Sequence, residues 1–278
     1  MVFDAGHYEI WVRFGVFAAV LACLAAFERV IPRRALIANK GRRWATNLVI
    51  AGIDGFVVRA MAWLAVPLAG TAAAAYAGAN GFGFFNWLDW PQWVEVALAV
   101  AALDFAIWLQ HVVTHKVPLL WRLHQVHHAD VDIDVTTAVR FHPIEIGLSV
   151  LWKIVCVSIL GPSVLAVVLF EIILNASAMF SHANIALPAM LDRVLRLAIV
   201  TPDMHRVHHS VLRREHNSNF GFNLSVWDKL FGTYIVKPEN NHDVMKIGLA
   251  AYQSDKPTGL FWSLVLPFQR GAGGAENV

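Results

Sequence analysis

Four or five mostly apolar stretches, each close to the length needed to cross a membrane, limit this chain to a small set of folds. A helix crosses the hydrocarbon layer with about 20 apolar residues, and only helices and closed barrels satisfy their backbone there. The stretches are residues 10–27, 44–69, 93–115, 145–160 and 163–182. The second is polar on one side, with Asn47, Asp54 and Arg59. Only Gly161-Pro162, a turn signal, separates the last two, so they read as a helical hairpin that either crosses or re-enters. Composition agrees: 57% of the residues are hydrophobic and 15% charged, against about 45–50% and about 25% in soluble domains. The expected class is all-α, a polytopic membrane helical bundle. A net charge of +2 gives no reason to expect a nucleic-acid partner.

Charge sets the expected sidedness. Residues 28–43 hold six basic side chains, Arg29, Arg33, Arg34, Lys40, Arg42 and Arg43, whereas residues 71–92 hold none. The positive-inside rule makes the first loop cytoplasmic and the second external. The third span then delivers His111 and His115 to the cytoplasmic end, and the hairpin returns His182 to it. Everything from Asn184 onward is expected there too, as a histidine-rich helical cap. The first apolar stretch follows an acidic start and precedes its basic cluster, the reverse of a signal peptide, so it reads as a retained span. Residues 189–200 read as a helix lying in the interface or over the site, and the Gly/Ala-rich tail from Gly271 as disordered. The expected division is 1–92 for N-terminal spans and loops, 93–236 for the histidine-rich unit, and 237–278 for an interfacial segment and tail.

Ten of the thirteen histidines fall between His111 and His209. They form His111-x-x-x-His115, then His124-x-x-His127-His128, then His182, then His205-x-x-His208-His209. Residues three and four apart share a helix face, so each group predicts two or three imidazoles on one stripe. With His182 there are nine candidate ligands. A closed zinc site takes four, which leaves half of them unused, whereas two ions at four or five ligands each use all nine. Imidazole suits iron, copper, zinc and nickel, and oxygen chemistry narrows these to iron or copper; zinc in a purified sample would be no surprise. His7, His216 and His242 stand alone and read as surface or satisfied core positions, and His142 as a supporting or loop-anchoring residue. Asp104, seven residues before His111, and Asp203, two before His205, are candidates to accept the second ring N–H of a ligand.

No H-E-x-x-H occurs, which argues against an intramembrane zinc protease. Both cysteines, Cys23 and Cys156, are isolated in apolar stretches, so no thiolate site is expected. No reductase or haem-attachment motif is fused to the chain. A non-enzymatic alternative, a histidine-rich membrane protein that stores metal or binds haem, would leave most of nine ligands idle, since haem needs two axial ligands.

The chain resembles the fatty acid hydroxylase/sterol desaturase superfamily. The matching stretches run from Asp104 through His111 and His115, and from Leu120-Trp121 to His127-His128. They continue with Arg140-Phe-His142-Pro-x-Glu145, Phe180-Ser-His182-Ala-Asn184 and Thr201-Pro-Asp203-Met to His208-His209, ending with Ser218-Asn219-Phe-Gly221 and Trp227 to Tyr234. Together they cover residues 95–236. In the acyl-CoA desaturases the first two boxes lie much further apart than the eight residues between His115 and His124. The resemblance implies a membrane-bound, O2-dependent non-haem di-iron enzyme that hydroxylates or desaturates a lipid C–H bond. It implies two iron ions held by the nine histidines, with Asp104, His142, Glu145, Asp203 and Asn219 in support. It also implies electrons from a separate protein of ferredoxin or cytochrome type with its reductase. Some relatives have a further histidine where this chain has Ala178; Asn175 or water would serve there.

Overall fold

The computed structural model describes residues 5–64 and 70–269. They fold into helices α1 (Ala5–Val30), α2 (Lys40–Leu64), α3 (Gly70–Asn80), α4 (Gln92–Lys116), α5 (Pro118–His128), α6 (Pro143–Leu160), α7 (Val164–His182), α8 (Ala189–Leu195), α9 (Pro202–His208), α10 (Arg213–His216), α11 (Val226–Leu230) and α12 (Leu260–Val265). Five of them, α1, α2, α4, α6 and α7, are long and apolar enough to cross a membrane. Their outer faces carry exposed Trp11, Phe14, Phe56, Trp63 and Ile159, as expected where lipid replaces water. The protein is thus an integral membrane protein with an all-α fold.

Helix α7 is central, packing against α4 and α1, while α6 packs against α2 and α3. Leu103 and Ile107 of α4, Val157 of α6 and Phe170 of α7 form one apolar core. The end of the second expected span, residues 65–69, and the tail from residue 270 lie outside the described residues. Helix α3 corrects the sequence reading, which took residues 71–92 as loop; its alanine-rich face buries Ala73, Ala74 and Ala77. The expected 189–200 helix is shorter, Ala189–Leu195, with no buried residue.

The hairpin turn between α6 and α7 is built by local chemistry. Gly161 ends α6 at φ 62, the left-handed conformation glycine adopts without a Cβ penalty, and Ser163 accepts a hydrogen bond from the Ala166 amide to start α7. A Cβ on Gly83 would lie 2.6 Å from Gly161 N and Cα, so glycine alone lets the 84–86 turn press on the hairpin.

Behind the histidine-rich helices lies a buried ionic frame. Arg43 of α2 sends Nε and Nη2 to the two oxygens of Asp130 at 2.7 and 2.8 Å, and Nη1 to Asp134 at 2.6 Å. Arg140 donates to Val126 O, Asn47 Oδ1, Pro257 O and Ser263 Oγ. Glu28 accepts the backbone amides of Val135 and Asn184. Arg43, counted among the basic residues that set the expected sidedness, is fully buried and ties α2 to the loop after α5.

Candidate metal centre

The nine box histidines are all buried and meet in two clusters. One holds His111, His115, His124, His128 and His208; the other holds His127, His182, His205 and His209, with the ligand atoms of each cluster within 4.8 Å of one another. The expectation of three rings on one stripe is corrected here. Successive helical residues turn by about 100°, so adjacent His127 and His128 diverge into different clusters, as do His208 and His209. The i,i+4 pairs stay together: 111 with 115, 124 with 128, 205 with 209. Each H-x-x-H-H box thus serves both clusters, a division that spacing allows only once the helices are placed.

Hydrogen bonds fix which ring nitrogen faces inward. His111 Nδ1 donates to Phe220 O at 2.7 Å, and His208 Nδ1 to Ser218 O at 2.7 Å. His182 Nδ1 donates to Ala178 O at 2.7 Å, and His124 Nδ1 to Glu145 Oε1 at 2.6 Å. In each the Nε2 lone pair then points into its cluster. His111 Nε2 and His124 Nε2 face each other at 3.1 Å, two lone pairs in repulsion unless a cation lies between them. His182 Nε2 likewise meets the Nε2 atoms of His127, His205 and His209 at 3.1, 3.1 and 3.2 Å. Two nitrogens bound about 2.1 Å from a shared ion at a right angle lie about 3 Å apart. Both nitrogens of His115 and His128, and Nε2 of His208, are buried without a hydrogen-bond partner, so the donor set fits one metal ion per cluster.

Electrostatics point the same way. Burial, reinforced by neighbouring rings, pushes His127, His128, His205, His208 and His209 well below the ordinary imidazole range. They are therefore neutral at physiological pH, the state in which imidazole ligates metal. Phe141 stacks on His127 at 4.4 Å and 7°, which fixes the ring's plane.

Of the residues expected to support the ligands, Glu145 contacts one directly, His124. Asp104 does not: its Oδ2 accepts from Trp227 Nε1 at 2.8 Å and the Leu224 amide at 3.2 Å, the inter-helix bond that two turns of separation from His111 permits. Asp203 pairs with Arg206 and Arg33 rather than with His205, whose Nδ1 has no partner. His142 caps α6 by accepting from the Ile144 amide and meets Leu264 O, so it anchors a loop. Asn219, at φ 50, clamps Met204 O and the Ile235 backbone and acts through the α9 main chain. Asn175 bonds to Glu171 O and lines the cavity described below.

One position escaped the sequence reading. Asp228, fully buried, accepts the Phe220 and Gly221 amides and Trp108 Nε1, and so sets the carbonyl that receives His111. It lies inside a motif quoted above, the signal that could have found it. His216, read as a surface or core position and not as a ligand, is buried, stacked on Trp121 at 5.6 Å and outside both clusters.

Glu145→Gln keeps an acceptor but removes the charge behind His124. Metal affinity at the five-histidine cluster is expected to fall about 10–100-fold, read by chelator competition, with the four-histidine cluster unaffected. Unchanged affinity would show that the carboxylate does not support the ligand.

A cavity of about 740 Å³ opens beside the first cluster, with His111 and His124 in its wall and Phe14, Phe17, Ile107 and Leu174 along its apolar sides.

The fatty acid hydroxylase family profile matches residues 96–233. An ornithine lipid hydroxylase of Rhizobium tropici is 28% identical over 261 residues, 92% of this chain and 75% of the relative. Human alkylglycerol monooxygenase is 32% identical over 164 residues, 58% of this chain but only 35% of that enzyme. A cholesterol 25-hydroxylase-like protein of Danio rerio is 25% identical over 143 residues, 50% of this chain and 55% of that protein. No solved structure matches the chain significantly. With two histidine clusters built for metal and a membrane fold around them, the chain belongs to the fatty acid hydroxylase/sterol desaturase superfamily of di-iron, O2-dependent oxidoreductases.

Proposed function

We propose that this protein hydroxylates an alkyl carbon of a membrane lipid, using two iron ions held by the nine box histidines. One observation carries the reading: the five-histidine cluster forms part of the wall of a largely apolar cavity set among the spans. When bound, the irons would supply reduction of O2 and removal of a hydrogen atom from an unactivated C–H bond. The protein's own contribution is geometric, because holding one carbon in place accounts for much of such catalysis. Phe141, Ile107 and Phe222 line the cavity beside His111 and His124 and keep water from the reacting carbon. The Nδ1 bonds of His111, His124, His182 and His208 hold four rings in one tautomer.

Hydroxylation is favoured over desaturation because the similar proteins are hydroxylases and monooxygenases by name. The metal site is proposed to lie on the cytoplasmic face of the membrane; the basic residues between Arg29 and Arg43 support that side. There it would meet a separate electron-transfer protein of ferredoxin or cytochrome type.

Lipid extracts of a host with and without the intact gene test the reading. A lipid heavier by one oxygen atom, formed only with O2, is expected; a product lighter by two hydrogens would make it a desaturase. Oxidation and iron content both retained by His127→Ala would overturn the site assignment.

A further inference from the structure

Asp54 lies within span α2, is 8% exposed, and forms part of the cavity wall shared with His111 and His124. Its Oδ1 is buried without a hydrogen-bond partner. The ionisable group acting on it is Glu145, a second carboxylate already committed to His124. The other charged groups of the cavity are paired among themselves: Glu171 accepts from Lys153 at 3.2 Å and is bonded to Arg13. That cluster lies further along α6, where Lys153 follows Glu145 by eight residues, roughly 12 Å at 1.5 Å per residue. Asp54 is thus a carboxyl inside a membrane-length helix whose Oδ1 meets no hydrogen-bond partner among the described residues. Such a group is costly, and a buried acceptor left unmet is destabilising.

We infer that Asp54 determines substrate choice by accepting a hydrogen bond from the polar part of the lipid, an amine N–H or a hydroxyl O–H. The proposal deepens the hydroxylase reading and rests on it for the word substrate, but the binding event needs neither iron nor O2. Because Asp54 shares its wall with His111 and His124, the donor group enters the cavity itself. The oxidised carbon then lies close to that group rather than far along an acyl chain. A lipid offering only ether or ester oxygens leaves the carboxyl unmet and binds more weakly.

Binding of hexadecylamine, hexadecanol and hexadecyl methyl ether to the purified full-length protein, followed by native mass spectrometry, tests this. Wild type is expected to hold the amine, the alcohol or both at least about tenfold more tightly than the ether. Asp54→Asn keeps an uncharged acceptor, so it should weaken a preference for the amine, which loses the charge-assisted part of its bond, and retain one for the alcohol. Asp54→Leu should abolish both while leaving the ether bound as in wild type. The three proteins are compared at equal metal content and matched unfolding temperature, so that misfolding is not read as lost recognition. Equal binding of all three probes by wild type, or discrimination unchanged in Asp54→Leu, would overturn the proposal. Discrimination without any lipid oxidation would instead sink the hydroxylase reading and leave the role of Asp54 intact.

Discussion

His127→Ala and His128→Ala, one position apart on the same helix, are expected to damage different metal sites. His127 belongs to a cluster of four histidines and His128 to a cluster of five. Removing His127 leaves three donors, His182, His205 and His209, one fewer than the four that close a typical protein metal site. Removing His128 leaves four, and its neighbours His115 and His208 still converge. Metal analysis should therefore show His127→Ala losing the ion of its own cluster, and His128→Ala keeping both ions with one bound less tightly. The loss in His127→Ala should exceed the roughly 10–100-fold that removal of a supporting hydrogen bond costs. Both rings stand among other buried histidines rather than in the outer shell of the fold, so the variants should still fold. Identical metal content in the two variants would contradict the division of the box between clusters.

Arg43→Ala should be the most destabilising single change outside the histidines. It strips the cation from Asp130 and Asp134, whose side chains are 1% and 0% exposed. Breaking a buried pair by removing one partner costs about 3–5 kcal/mol, a large part of the about 5–15 kcal/mol that holds most folds together. Arg43→Lys keeps the charge but not the fork that reaches both oxygens of Asp130, so it should fall between the two. Thermal unfolding in detergent measures the order. Burial alone would raise the Asp130 carboxyl, but the Arg43 guanidinium overrides it and holds Asp130 below the ordinary range. The stabilisation from this pair is accordingly complete above about pH 4 and lost as acid takes the pH lower. An Arg43→Ala protein that unfolds at the wild-type temperature would show the ionic frame to be idle.

Much of the fold was legible because membrane spans are written in composition: the five stretches and their turn at Gly161-Pro162 correspond to α1, α2, α4, α6 and α7. Helix α3 was not, since an alanine-rich segment of eleven residues looks like loop until Val157 and Val167 offer it a surface. The gathering of the nine histidines was legible from the order of the spans and the spacing within each box, whereas their partition was not. It depends on the 100° turn between neighbours and on where α5 and α9 lie relative to α7. The carboxylates were the weakest part of the reading. Two turns of separation put Asp104 on the same helix as His111 but not within reach of its ring, and it serves Trp227 instead. Asp203 lies near His205 in sequence, yet Arg206 and Arg33 compete for it more strongly than a neutral imidazole can. Sequence proximity said little about carboxylates because what decides their partner is the donor that the fold brings nearest, a guanidinium for Asp203 and an indole N–H for Asp104.

The central claim is that one chain holds two metal ions on nine histidines. Iron content per chain, measured together with X-ray absorption at the iron edge on the purified, iron-reconstituted protein, tests it most directly. The expected result is two irons per chain, surrounded mainly by imidazole nitrogens at about 2.1 Å, with no haem absorption. One iron per chain, a coordination shell dominated by oxygen, or a Soret band would contradict it.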